Sequence, residues 1–390
     1  MTVDWISNRL KPYEASIFAT IGKLAIEHGC VNFGQGFPDF DGPGMVKEAA
    51  RSAISEALNQ YAPLAGALPL RQALAQKYQQ HGLDYDVNSE ITVTNGATEA
   101  MYASIMAICN PGDEIVVFEP TYDTYNPIIE MCGGTPVPVR LHPPAFAFDP
   151  DELAQAFSKK TRAIIVNSPH NPTGRVFNRP ELQIIRDLCV THNAIAITDE
   201  VYEHLTFHEH EHIPLATLDN MRERTITISS SAKTFSLTGW KIGYALAPAE
   251  ATEGIRRLHQ FAAFAVATPL QMGIAHGIER IHTLLPGLVN RLARKRTTMC
   301  NRLEDMGFNV FRPQGTFFIL ADISPLTDMD DISFVRFLIE SSVKVATIPV
   351  SVFYQDQATA PKNYIRFCFA KKTSTIDKGL MQMKALRSLL

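Results

Sequence analysis

The sequence predicts an α/β protein: a large unit built on a mostly parallel sheet, followed by a smaller α+β unit. Three observations carry this. From about residue 46 to residue 285, short apolar β-branched runs alternate with segments of helical period. Runs such as RAIIVNSP and AIAITDE are the near-continuous apolar stretches of strands covered on both faces. From residue 286 to 390 the alternation gives way to a long helix and then strands, the order of an α+β unit.

Taken in order, residues 1–45 read as an arm that packs with the C-terminal unit. SIFATIGKLAIEHG places Ile17, Ile21, Leu24 and Ala25 on one helical face and stops at Gly29. VNFGQGFPDFDGPG, dense in glycine, proline and aspartate, reads as loop. In the large unit, MVKEAARSAISEAL and LPLRQALAQKYQQHG are helical, and EITVT is a strand. ATEAMYASIMAICNPGD is a helix closed by Pro111 and Gly112, followed by the strand EIVVFEP. TYDTYNPIIEMCGG is a helix, TPVPVRL a strand, and DPDELAQAFS a helix starting from a good N-cap. The strands RAIIVNSP, AIAITDE and TITISS follow, with helical segments such as RPELQIIRDLCVTHN between them. Strands joined through helices imply right-handed crossovers and parallel pairing. In the last unit, LVNRLARKRTTMCNRLEDMG is a long helix, FNVFRP and TFFILADI are extended, DISFVRFLIESS is helical, and VKVATIPV and YIRFCFA close the chain.

The chain has 390 residues, ample for two such units at about 150 residues each. Hydrophobic residues are 46% and charged residues 19%, a globular mixture with enough material for a core. The net charge of −4 supplies no basic face for nucleic acid. No apolar run reaches the roughly 20 residues of a membrane span, and Asp4 and Asn8 stand where a secretory leader would be apolar. Six cysteines, at 30, 109, 132, 189, 300 and 368, include no C-x-x-C pair. They read as buried reduced thiols of a cytoplasmic protein.

Six places can carry chemistry. In TITISSSAKTFSLTGWKIGY, Lys233 follows a strand and a serine triplet, with Ser230 three residues before it and Lys241 eight after it. Alone it reads as a surface lysine; its neighbours could hold a phosphate beside its amine. Asp199 ends the apolar run AIAITDE, where open α/β sheets place ligand groups, with Tyr202 three residues on; a helix cap is the alternative. Asn171 precedes Pro172 in SPHNPTG and so is extended, with its amide free to enter a site or merely to build a turn. Gly96, Ala97 and Thr98 begin a helix after EITVTN and leave free backbone N–H groups for an anion. Tyr122 and Tyr125 follow a strand and either stack on a planar ring or fill core. Arg366 interrupts the apolar YIRFCFA, which is expensive unless it meets an anion such as a carboxylate. There is no G-x-G-x-x-G or Walker motif. The histidines of HLTFHEHEH, including His204 and His208 at helical spacing, read as a solvated charged loop rather than a metal site.

Together these residues ask for one small ligand bearing a phosphate, an aldehyde and a basic ring nitrogen, which is pyridoxal 5′-phosphate. Over nearly its whole length the chain resembles the fold-type I, pyridoxal-phosphate-dependent aminotransferases of class I and II, through HNPTG, TDEVYEHL, SSSAKTFSLTGWKIGY and YIRFCFAKK in order. VNFGQGFPDFDGP and NQYAPLAGALPLRQALAQK resemble bacterial methionine aminotransferases, of the kynurenine and glutamine transaminase K group. The resemblance implies a seven-stranded sheet in residues 46–285 and a ping-pong transfer of an amino group from an amino acid to a 2-oxo acid. Methionine is the expected donor, with aromatic amino acids beside it. C–S β-lyase or kynurenine–oxoglutarate chemistry is the alternative on the same scaffold.

The resemblance further implies that Lys233 bonds the cofactor and carries a proton, and that Asp199 pairs with the ring nitrogen. Asn171 and Tyr202 would bind the ring oxygen, and Tyr122 would stack on the ring. Gly96, Ala97, Thr98, Ser230 and Lys241 would hold the phosphate, with Tyr61 reaching across a homodimer whose sites are shared. Gly36, Arg366 and Asn171 would bind the substrate carboxylate. Phe33, with Phe37 and Tyr61, suggests an apolar side-chain pocket. Many relatives carry arginine where Lys241 stands, and lysine binds phosphate as a point charge rather than a fork.

Overall fold

The computed structural model describes residues 4–207 and 210–390. Thirteen strands are found among these residues: β1 Val31–Asn32, β2 Ile91–Asn95, β3 Glu114–Glu119, β4 Thr135–Arg140, β5 Thr161–Asn167, β6 Ile195–Asp199, β7 Thr225–Ser230, β8 Ile242–Leu246, β9 Asn309–Phe311, β10 Phe318–Asp322, β11 Val345–Ala346, β12 Ile348–Pro349 and β13 Tyr364–Cys368. Seven of them form one sheet in the order β2-β8-β7-β6-β5-β3-β4. All its pairings are parallel except the two made by β8, which runs against both β2 and β7. β8 is the strand that the apolar alternation did not announce, because Gly243 and the preceding polar turn conceal it.

The near-continuous apolar strands are buried on both faces, as expected for a layered α/β unit. Ile115 and Val117 of β3 face one way, into a core shared with Ile105 and Ile255 of flanking helices. Val116 and Phe118 face the other way, into a core shared with Leu182 and Ile185 of the helix Arg179–Thr191. That helix opens with a full capping box, Asn178 and Glu181 each accepting the other's backbone N–H, and with Pro180 in its first turn.

A four-stranded sheet, β12-β13-β10-β9, is antiparallel at every pairing and holds the C-terminal segment. The helix Ile281–Asp305 runs straight through residue 286, where the change of pattern suggested a boundary, and contains Pro286 near its start. The loop expected after Gly29 is not all loop: β1 pairs in parallel with β11, more than three hundred residues away in sequence. This ties the helix Ile17–Glu27 and the segment after it to the C-terminal half. All six cysteines are unpaired, five of them buried. No helix among the described residues is long and apolar enough to cross a membrane.

Candidate functional site

The carboxyl ends of β5, β6 and β7, the start of the helix Gly96–Ile108 and strand β13 converge on a cavity of about 300 Å³. Ligands of open α/β sheets sit at this edge because the strand ends release the chain into loops there. Gly36, Gly96, Ala97, Thr98, Tyr122, Asn171, Asp199, Tyr202, Ser230, Lys233, Lys241 and Arg366 all line it.

Two candidates from the sequence lie elsewhere. Phe33 is fully buried, its ring against Phe367 and against the position a Cβ on Gly379 would take, so it is core and not pocket wall. Tyr61 is 81% exposed, with its ring edge-on to Phe264, and does not line the cavity.

Asp199 lies at the last position of β6 and is buried. Its Oδ2 accepts a 2.6 Å hydrogen bond from the Tyr125 hydroxyl, and Oδ1 accepts one from the Val201 amide. Burial raises its carboxyl, and these bonds together with the Lys233 charge act in the opposite direction. Tyr125 therefore does not present its ring for stacking; it is a hydroxyl partner of Asp199, its ring edge-on to Tyr122.

Lys233 sits in a short helical turn directly after β7. Its Nζ donates to the Gly36 carbonyl at 3.3 Å and lies 5.8 Å from the ring centre of Tyr202 and 5.6 Å from that of Phe317. Burial pushes its pKa down to about 8, helped by the positive charges of Arg366 and Lys241, while Cys368 and Asp199 act in the other direction.

A cradle closes the cavity on the β2 side. Gly96 opens its helix at φ +79°, and a Cβ there would lie 3.0 Å from the Lys241 ammonium. Lys241 itself is in the left-handed region. A Cβ on Gly243 would come within 2.3 Å of the Gly96 carbonyl carbon and 2.4 Å of the Ala97 nitrogen. Glycine at 243 is thus what lets β8 lie against the helix start, and so brings a lysine ammonium and free N–H groups to one point.

On the opposite wall Arg366 is 1% exposed. One of its terminal nitrogens donates to Asn171 Oδ1 at 2.7 Å and the other to the Gly34 carbonyl at 3.1 Å, while its Nε is buried with no partner. The guanidinium lies 4.0 Å from the ring centre of Phe318. Asn171 is fixed in turn: its backbone N–H donates to Asn167 Oδ1, and the Asn167 side-chain Nδ2 donates to the Asp199 carbonyl. His170 beside it bonds Thr173, and burial pushes its pKa down to about 3, so it is a neutral strut of the turn. Phe18 and Phe318, which complete the apolar wall, belong to no sequence motif.

The histidine run is only in part the solvated loop expected: among its described residues His210 is exposed, whereas the side chains of His204 and His212 are largely covered. His204 contacts Glu203, and His212 is buried against Glu200 at 2.9 Å. Burial pushes His204 down to about 3. The pair His204 and His208 cannot be placed, because His208 lies outside the described residues. No cluster of three metal-ligating side chains occurs among the described residues.

The family model for aminotransferase class I and II matches residues 28–382. The solved structure of N-succinyldiaminopimelate aminotransferase from Mycobacterium tuberculosis superposes with a TM-score of 0.95 at 42% identity, covering 98% of this chain and 100% of that one. Methionine aminotransferase of Escherichia coli K12 is 39% identical, covering 97% of this chain and 98% of its own. Human kynurenine–oxoglutarate transaminase 3 is 38% identical, covering 97% and 90% respectively.

Proposed function

This chain belongs to the class I and II aminotransferases, pyridoxal-phosphate enzymes that move an amino group from an amino acid to a 2-oxo acid, and on that premise we propose methionine as its donor, with aromatic amino acids beside it. One observation carries this choice. Among the described residues, Lys233, Lys241 and Arg366 are the only cationic side chains lining the cavity, and Phe18, Phe37, Met101, Tyr122 and Phe318 supply its apolar lining. If Lys233 and Lys241 serve the cofactor, Arg366 alone is left for a carboxylate, and the donor's side chain meets apolar surface. A donor with a second carboxylate finds no fork to receive it.

The residues fit the cofactor. A phosphate suits the Gly96 cradle, with Lys241, Ser230 and the N–H groups of Ala97 and Thr98 around it. The orphan Nε of Arg366 suits a carboxylate that completes its fork. When bound, pyridoxal 5′-phosphate supplies the electron sink for carbanion chemistry.

We assign the remaining work to the chain's own groups. Lys233 is the covalent anchor and, once freed, the amine that accepts and returns a proton at Nζ. A lysine lowered to about 8 is close enough to neutrality for that role. Asp199, steadied by Tyr125, keeps a proton on the ring nitrogen. Asn171 and Tyr202 would bind the ring oxygen, and Tyr122 would cover the ring.

We further assign Tyr61 to the partner's phosphate in a homodimer. In support, Tyr61, Phe261, Phe264 and Leu68 are all large and exposed, which a monomer would not favour. The unpaired cysteines fit a cytoplasmic setting.

The M. tuberculosis neighbour favours a second reading, a succinylated diamino acid as donor. One experiment separates the two. The loaded protein is mixed with methionine, phenylalanine, aspartate or N-succinyl-diaminopimelate and no oxo acid, and loss of the cofactor's visible band is timed. The proposal expects methionine and phenylalanine to be fastest. A lead for aspartate or the succinylated donor rules out the apolar pocket.

A further inference from the structure

Four consecutive carbonyls of the loop between β1 and the helix at 44 point at cations. The Gly34 oxygen accepts from Arg366 at 3.1 Å, Gln35 from Lys371 at 3.2 Å, Gly36 from Lys233 at 3.3 Å and Phe37 from Lys371 at 2.8 Å. Gly34 and Gly36 permit the fit: a Cβ at 34 would lie 3.2 Å from the Thr347 carbonyl oxygen, and one at 36 would lie 3.0 Å from the Phe318 ring. Asn32 holds the other edge, accepting from the amides of Gly34 and Gln35.

Two of the three cations have other employment in the reading above, on which this inference rests. Lys233 serves the cofactor and Arg366 the substrate carboxylate. Lys371 does not line the cavity. It is 3% exposed, and no carboxylate among the described residues is within ion-pair distance of it. Among the described residues its Nζ donates to the two carbonyls, lies 5.1 Å from the Phe37 ring centre and acts on the neutral Cys368 thiol. A buried ammonium without a counter-charge is costly, and an apolar side chain would fill the same space without that cost.

We propose that Lys371 is a positioning residue for the substrate: its ammonium keeps the loop 34–37 formed when Arg366 and Lys233 turn to substrate and cofactor, and so keeps Gly36 and Phe37 against the bound amino acid. The loop shares its carbonyls among three cations before the ligands arrive and depends on one afterwards. Lys371 acts through the loop and touches neither ligand.

The test compares wild type, Lys371→Met and Lys371→Gln, all loaded with pyridoxal 5′-phosphate. Titration with 4-(methylthio)butanoate, methionine's skeleton without its amine, reads binding through the cofactor's absorbance with no turnover. Lys371→Met is expected to raise the Kd of this acid and the KM of methionine about tenfold, close to the worth of one charge-assisted hydrogen bond. We expect kcat to change by less than about threefold, with cofactor affinity and Tm unchanged. Lys371→Gln, which can still serve one carbonyl, should fall between. Equal Kd in wild type and Lys371→Met overturns the role of Lys371 alone, as does a joint fall of cofactor affinity, Tm and kcat in both variants. A wild-type protein that does not bind the acid overturns the site reading, and the role with it.

Discussion

Asp199, Ser230 and Gly96 stand at the ends of β6, β7 and β2, whereas Gly36 and Phe37 stand on a loop whose carbonyls are held by side chains from distant elements. The end of the cavity we assign to the cofactor inherits its geometry from the sheet. Each group there is one peptide bond or so from a ladder of backbone hydrogen bonds, and moving it means moving a strand. The substrate end has no ladder, and its shape rests on Arg366, Lys233 and Lys371. Rigidity at the cofactor end suits a group that stays bound through the whole cycle. A loop held by separable bonds suits a wall that meets two different substrates in turn.

The difference can be broken from the cofactor side first. Gly243→Ala drives a methyl into the backbone of Gly96 and Ala97 from 2.3 and 2.4 Å, where no side chain can yield. We expect cofactor Kd to rise about a hundredfold, roughly 2.7 kcal/mol. An absorbance titration of cofactor-free protein measures this, and wild-type affinity in the variant would mean that the cradle does not hold the phosphate. It is the counterpart of Lys371→Met, which should spare the cofactor and weaken the substrate.

A smaller effect concerns pH. Lys233, lowered to about 8 by burial, loses its proton as pH rises through that value. The rate of cofactor loading should therefore climb about tenfold between about pH 7 and 9 and then level off. A rate still rising at pH 10 would show a lysine with its ordinary basicity.

The smallest effect expected is that of Tyr125→Phe, which removes the 2.6 Å bond to Asp199. The carboxyl should become harder to ionise and kcat fall about fivefold, roughly 1 kcal/mol, the net worth of one ordinary hydrogen bond. An unchanged pH profile of the bound cofactor's absorbance would mean that Asp199 is held without Tyr125.

The same contrast explains what could be read from the chain. The strand-end residues were legible because apolar runs point at them: AIAITD leads to Asp199 and TITISS to Lys233. Periodicity is a local signal, and these groups are placed locally. Phe33 was misread because an aromatic beside GQGF suggests a pocket, while its real partners, Phe367 and Gly379, lie at the other end of the chain. β1 escaped for the same reason, since two residues carry no period and β11 is its only neighbour. Tyr125 was noticed as a flat ring, yet the Asp199 oxygen that claims its hydroxyl is 74 residues away. In the sequence, Lys371 is one of two adjacent lysines before a helix and carries no mark of burial. The carbonyls that receive its ammonium, those of Gln35 and Phe37, lie more than three hundred residues away in sequence.

The position of β8 between β2 and β7 has a consequence for the nascent chain. β2 has no other neighbour in its sheet, so after residue 95 leaves the ribosome that strand waits as an unpaired edge until residues 242–246 follow. The cradle we assign to the phosphate, made of Gly96 on one side of that seam and Lys241 on the other, does not exist in any shorter stretch of chain. Translation must therefore pass β8 before the vitamin-derived group has a place to sit, and a chain stalled earlier presents an open, adhesive strand instead of a holoenzyme.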